Sequence, residues 1–261
     1  METPRNEVPG WLQGAQATET CCPIVELRQY TLHPGKRDAL IELFDREFVE
    51  SQEALGMKIV GQFRDLDKPD RFVWLRGFPD MPRRAVALQA FYSGPVWKAH
   101  RAAANETMID SDNVLLLRPA RSDLGFPKGE GTRPPARARE VPKRLVIATI
   151  YYFDGPPDVD FTEFFVTTLR PALTESGTSV LASFETERSE NNFPALPVRE
   201  GEHVFVWFSR FPDAAAHDRQ AAALARSRRW REEVSPQLTR RLKGPPEVLR
   251  LSPTARSELC A

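Results

Sequence analysis

Val73-Trp74-Leu75-Arg76-Gly77-Phe78-Pro79-Asp80 returns further along the chain as Val206-Trp207-Phe208-Ser209-Arg210-Phe211-Pro212-Asp213. The two stretches agree at Val, Trp, Phe, Pro and Asp, at an offset of 133 residues. Each reads as a strand that stops at Pro-Asp before an alanine-rich helical stretch. Upstream the offset is smaller. Tyr30 finds Tyr151, and Gln62-Phe63 finds Ser183-Phe184, both 121 residues on. The difference of 12 requires an insertion in the later copy, and the proline-rich Asn191-Asn192-Phe193-Pro194-Ala195-Leu196-Pro197 lies in that interval. A recurring octapeptide can be chance. The match, the order of elements and the insertion together predict two copies of one unit.

Each copy reads strand, helix, strand, strand, helix, strand. In the first copy strands are expected at 25–32, 57–65, 72–78 and 113–118. Helices are expected at 36–55 and from Pro82 to 92, with a further piece at 96–108 after the Ser93-Gly94-Pro95 interruption. In the second copy strands are expected at 145–153, 179–186, 204–211 and 247–251, and helices at 159–175 and 214–242, the latter broken at Pro236. This βαββαβ order is the split-βαβ motif. The fold class is therefore α+β: two ferredoxin-like βαββαβ modules, expected to pack sheet to sheet in one chain. The expected divisions are a loose arm at 1–22, a first domain at 23–118, a linker at 119–143, a diverged second domain at 144–253 and a tail at 254–261. The linker carries Pro119, Gly125, Pro127, Gly129, Gly131, Pro134, Pro135 and Pro142 among basic residues, a composition that does not build a core.

Composition excludes several function classes. The chain has 261 residues, 41% hydrophobic and 28% charged, with 36 basic and 36 acidic side chains. No net field draws nucleic acid or anionic lipid. No apolar run reaches the ~20 residues of a membrane span, and the N-terminus lacks the apolar core of a secretory signal. Cys21, Cys22 and Cys260 have no partners at metal-ligand spacing and read as tail thiols in a reducing, cytoplasmic setting, with a redox-active Cys21-Cys22 pair as the sharper reading. Nucleophile-elbow, dinucleotide and P-loop motifs are missing.

Glu26-Leu27-Arg28-Gln29-Tyr30-Thr31-Leu32-His33-Pro34-Gly35-Lys36, Gly61-Gln62-Phe63-Arg64-Asp65 and Phe72-Val73-Trp74-Leu75-Arg76-Gly77-Phe78 together resemble a NIPSNAP domain. The resemblance covers about 24–118 and extends more weakly to 145–251. It implies the dimeric α+β barrel group, so two sheets that close into a barrel, here both from one chain. That group includes metal-free monooxygenases, haem-binding enzymes, dehydratases and ligand-binding proteins, so the family by itself fixes no reaction.

Strand residues alternate between faces. The barrel expectation assigns the apolar face of each sheet to the helices and the polar-aromatic face to a cavity between the sheets. In the first copy that face carries Glu26, Arg28, Tyr30, Gln62, Arg64, Trp74 and Arg76. Such a set can neutralise an anion and hold an aromatic or acyl group. It reads equally as an internal ion-pair network fastening the sheets. His33, at the His33-Pro34-Gly35 turn, is either turn geometry or a proton carrier at the rim. His100, Arg101 and Asn105, with Trp97, read as helix packing and capping, or as a second polar cluster near the entrance. The expected roles are then proton transfer by Glu26, His33 or Tyr30, and ligand binding by Arg28, Gln62, Arg64, Trp74, Arg76, His100, Arg101 and Asn105. No metal site is expected, and no cofactor, although one histidine suffices for haem.

The second copy has lost this face. Glu26, Arg28, Gln62, Arg64 and Arg76 become Ile147, Thr149, Ser183, Glu185 and Ser209. The site is thus expected in the first copy, with the second acting as a lid or structural half. The expected partner is a small anion, with no nucleic acid or membrane and self-association left open. The functional expectation is a small-molecule binder, extending to a cofactor-independent monooxygenase, isomerase or lyase acting on an aromatic or acyl carboxylate. The alternative is a non-catalytic interaction module whose barrel is filled by side chains. An open pocket of a few hundred Å3 beside Arg28, Arg64 and Arg76 would favour the former.

Overall fold

A computed structural model describes residues 20–128, 133–157 and 159–260. The arm residues 1–19, including Trp11-Leu12, lie outside the described residues. The first module runs β1 (Ile24–Leu32), α1 (37–53), β2 (Lys58–Asp65), β3 (Arg71–Phe78), α2 (Met81–Ser93), α3 (Pro95–Asn105) and β4 (Met108–Pro119). The second runs β5 (Leu145–Phe153), α4 (159–175), β6 (Ser179–Thr186), β7 (His203–Phe211), α5 (Ala214–Arg226), α6 (230–241) and β8 (Glu247–Pro253). The strands close into one antiparallel barrel in the order β4-β1-β3-β2-β8-β5-β7-β6. Each module contributes a ferredoxin-like sheet with its own strands in the same sequence, and the sheets are joined where β2 meets β8 and β4 meets β6. The fold is an intrachain dimeric α+β barrel.

The modules repeat one another in detail. Both α1 and α4 contain a π turn, Phe44–Phe48 and Phe165–Leu169, 121 residues apart. Gly56 and Gly177 end those helices with φ of 85° and 95°, a left-handed turn that favours glycine. β2 shifts register against β3 between Ile59 and Gly61, and β6 against β7 between Val180 and Ala182. Asp80 and Asp213 cap α2 and α5 by accepting from the backbone N–H three residues on. The expected break of the last long helix at Pro236 falls instead at Ser227, whose extended backbone ends α5. Pro236 stays inside α6 because the π turn Trp230–Val234 has already interrupted the hydrogen-bond ladder there.

The two sheet faces are reversed from expectation. The space between the sheets is apolar and filled. Val25, Leu27, Val73, Leu75, Leu115 and Leu117 of the first module meet Val146, Ala148, Ile150, Val204, Val206 and Phe208 of the second in one buried cluster. Eight strands make a barrel just wide enough for side chains to fill. The polar-aromatic face of the first sheet turns outward, under α1, α2 and α3, where Tyr30, Phe72, Trp74 and Phe78 pack with Leu40, Phe44, Phe48, Leu88 and Phe91.

Parts of three segments read as peripheral are built in. Within 119–143, Leu124 and Phe126 are buried, and the Phe126 ring lies 4.9 Å from Phe184 and 5.1 Å from Phe208. Cys21 and Cys22 are joined as a disulfide rather than standing as free tail thiols, and Cys22 is buried. After β8, Thr254, Arg256 and Ser257 are buried, and Arg256 binds Glu50.

Candidate functional site

The site forms where β1 and β3 lie side by side under α2. The register sets Glu26 opposite Arg76 and Arg28 opposite Trp74. One Glu26 oxygen accepts from Arg28 Nη1 at 2.9 Å and from Arg76 Nη2 at 2.7 Å. The other accepts from Arg84 Nε at 2.8 Å. All four side chains are fully buried. Among the described residues no second carboxylate pairs with any of the three guanidiniums. Their remaining partners are neutral: Tyr30 OH for Arg28, Gln52 Oε1 for Arg76, and the Oδ1 atoms of Asn191 and Asn192 for Arg84. The cluster thus buries two positive charges more than it balances.

Electrostatics follow from that count. Burial alone would raise the Glu26 pKa, but Arg76, Arg28 and Arg84 hold its carboxyl far below the usual range. Burial, with repulsion from Arg76 and Arg28, lowers the Arg84 pKa against the pull of Glu26. Burial raises the phenol of Tyr30. Aromatic faces cover the cations: Arg76 lies 4.9 Å and Arg28 5.5 Å from the Trp74 ring, and Arg84 lies 5.9 Å from Phe78. Among the described residues, two buried donors of this cluster, Arg84 Nη2 and Trp74 Nε1, have no hydrogen-bond partner, which is costly unless something else fills that role.

A cavity of about 30 Å3 adjoins the cluster, lined by Tyr30, Phe44, Phe48, Trp74, Phe91, Tyr92 and Trp97 among others. The π turn of α1 places both Phe44 and Phe48 on it. None of Arg28, Arg76 and Arg84 lines that cavity. The β6–β7 loop of the second module closes over this region. Phe193 stacks on Tyr92 at 5.9 Å, and Asn192 Nδ2 donates to the Met81 carbonyl.

The structure brings together Glu26, Arg28, Tyr30, Trp74 and Arg76. Gln62 shares their face but donates to Asp45 at 3.1 Å, and its Oε1 has no partner among the described residues. Arg64, at the sheet rim, pairs with exposed Asp38 at 2.8 Å and borders a separate open groove of about 640 Å3 between α1 and residues 136–141. His33 lies exposed in its turn, its backbone N–H bonded to Thr107. His100 sits 3.5 Å from Glu47, while Arg101 and Asn105 are exposed on α3. Glu26 is poorly suited to move a proton, because three guanidiniums hold it ionised. Sequence reasoning missed Arg84, Gln52, Tyr92, Asn191 and Asn192. Arg84 had one available signal: 133 residues on stands His217, whose ring meets Phe211 at 5.1 Å just as Arg84 meets Phe78. Among the described residues no three His, Cys, Asp or Glu side chains gather as a metal ion would need, and no helix is long and apolar enough to cross a membrane.

Residues 25–122 match the family model for NIPSNAP. No curated protein matches the chain. Solved structures that resemble it over most of its length include the following three. A monooxygenase candidate from Fusobacterium nucleatum is 9% identical with a TM-score of 0.54, covering 90% of this chain and 93% of that one. Another from Lactobacillus acidophilus is 13% identical with a TM-score of 0.51, covering 89% and 94%. An anthrone oxidase-like protein is 14% identical with a TM-score of 0.53, covering 91% and 95%. At these identities the likeness is one of fold, and it extends through both modules.

Proposed function

Taking the first module as a NIPSNAP domain, we propose that it binds a small organic anion, an aromatic or acyl carboxylate, between its sheet and its helices. The observation that carries this reading is the buried cluster of three guanidiniums around the single carboxylate of Glu26. Buried charges are stable when paired. An anion at Arg28 and Arg84 would supply the missing countercharge and could accept from Arg84 Nη2 and Trp74 Nε1. The rings of Phe44, Phe48, Phe91 and Trp97 would hold its apolar part. The cavity as it stands, about 30 Å3, is too small for such a ligand, so binding requires the β6–β7 loop or these rings to move outward. Chemistry on the bound anion, of the kind the neighbours' names suggest, would turn on Tyr30. Its hydroxyl accepts from Arg28 at 3.0 Å while its pKa keeps it protonated. The second reading, a non-catalytic module, is favoured by the apolar filling of the barrel.

Thermal-shift measurements with benzoate, 1-naphthoate and hexanoate separate the two. A ligand that binds only the folded chain raises its stability by mass action, by about 2.7 kcal/mol at a hundredfold excess over Kd. We expect a rise for the wild type that falls with added salt, and a lost or much weaker rise for Arg28→Ala, in which Arg76 and Arg84 still hold Glu26. A flat response of the wild type to all three carboxylates would leave the module reading standing.

A further inference from the structure

The β6–β7 loop is where the second module is longer than the first. Residues 66–70 join β2 to β3, whereas 187–202 join β6 to β7. By sequence the extra residues are a spacer that restores the register between two copies. In the structure they cross to the other module. Phe193, Leu196 and Val198 pack onto the first module's helix-side core, and Asn191 and Asn192 reach Arg84.

We propose that Asn191 and Asn192 are positioning residues of the anion site, setting its charge and therefore its selectivity for anions. This rests on the binding reading above. Both Oδ1 atoms accept from the same donor, Arg84 Nη1, at 3.1 and 2.7 Å. Both amide nitrogens are spent on backbone carbonyls, Asn191 on Leu196 and Asn192 on Met81. The Asn191 Oδ1 also accepts from the Phe193 N–H at 3.2 Å. These bonds orient the amides with oxygen toward the guanidinium. They hold Arg84 by Nε, bound to Glu26, and by Nη1, leaving Nη2 unpartnered.

A neutral acceptor differs from a charged one here. An aspartate at either position could hold Arg84 with similar geometry and would also cancel one unmatched charge. The cluster would then have less need of an external anion. Asparagine fixes the guanidinium while leaving its charge for a ligand. The charges therefore come from one half of the chain, while a loop of the other half orients Arg84 without adding a charge.

The experiment compares Asn192→Asp and Asn192→Ala with the wild type in the full chain. Both lose the donation to Met81, but the aspartate keeps an acceptor for Arg84 Nη1 that the alanine removes, so the added charge is read from the aspartate against the wild type and the lost bond from the alanine against the wild type. Isothermal titration with benzoate at low salt should show Asn192→Asp binding on the order of tenfold or more weaker than the wild type. Without benzoate, Asn192→Asp should melt above Asn192→Ala. Asn191→Asp gives a second, independent carboxylate if the first variant folds poorly. Equal benzoate affinity of Asn192→Asp and a binding wild type overturns this inference alone. A wild type that binds no carboxylate overturns the binding reading and this inference with it.

Discussion

Asn192, on a loop of the second module, accepts a hydrogen bond at 2.7 Å from Arg84, on the first helix turn after β3 of the first module. The two residues are 108 positions apart in sequence. That bond makes the candidate site a product of both halves of the chain, although its charged residues all lie in one. The consequences can be measured at several points.

Glu26→Gln should be among the most destabilising single changes in the chain. It leaves three fully buried guanidiniums with no carboxylate. Breaking a buried ion pair by removing one partner costs about 3–5 kcal/mol, read here by urea unfolding. Adding Arg84→Met should recover part of that loss, because one cation leaves with the anion. A loss under about 1 kcal/mol for Glu26→Gln would mean that water or solvent ions already screen the cluster.

Asp45→Asn should stabilise the protein at pH 7.5. Burial pushes the Asp45 carboxyl up to about 6, against the opposing effects of Arg256 and Thr254. Its folded pKa lies above its unfolded value, so its favourable contribution is complete below about pH 4 and is lost as pH rises through about 6. The amide keeps an acceptor for Gln62 and carries no charge. The expected gain is on the order of 2–3 kcal/mol near pH 7.5, shrinking toward zero at pH 4. A pH-independent difference between variant and wild type in thermal melts would contradict this.

Gly77→Ala tests how tightly the disulfide end of β1 packs. A Cβ there would meet Cys22 Sγ at 2.3 Å and Cys22 Cβ at 2.6 Å. Overpacking of this kind costs about 1–3 kcal/mol. Part of that should return when Cys22→Ala is added, since the Sγ contact is removed while the Cβ contact at 2.6 Å stays. Equal penalties with and without Cys22→Ala would show that the sulfur contributes none of the strain.

Phe126→Ala distinguishes a tether from a structural segment. Phe126 lies within 119–143 yet is 2% exposed against Phe184 and Phe208. Truncating such a ring typically costs about 3–5 kcal/mol. A true linker residue would cost almost nothing, so chemical denaturation gives a clear answer.

The α+β class, the order of strands and helices, the two modules and the confinement of charge to the first were all legible from residue pattern. Each depends on local periodicity or on a repeated motif such as Val73–Asp80 and Val206–Asp213, and those are properties of the chain itself. Alternation along β1 and β3 also put Glu26, Arg28, Tyr30, Trp74 and Arg76 on one face. It could not say which way that face turns. Period-2 alternation separates two faces without ranking them. The outcome here depends on closure: apolar side chains from both sheets fill the eight-stranded barrel, and the charged face lies under the helices. Arg84, Gln52 and the Asn191–Asn192 pair were beyond reach for a related reason. Their meeting is set by how α2, α1 and a loop from the other module pack over the sheet. No periodicity records contacts between elements so far apart in sequence; packing alone brought them to Glu26.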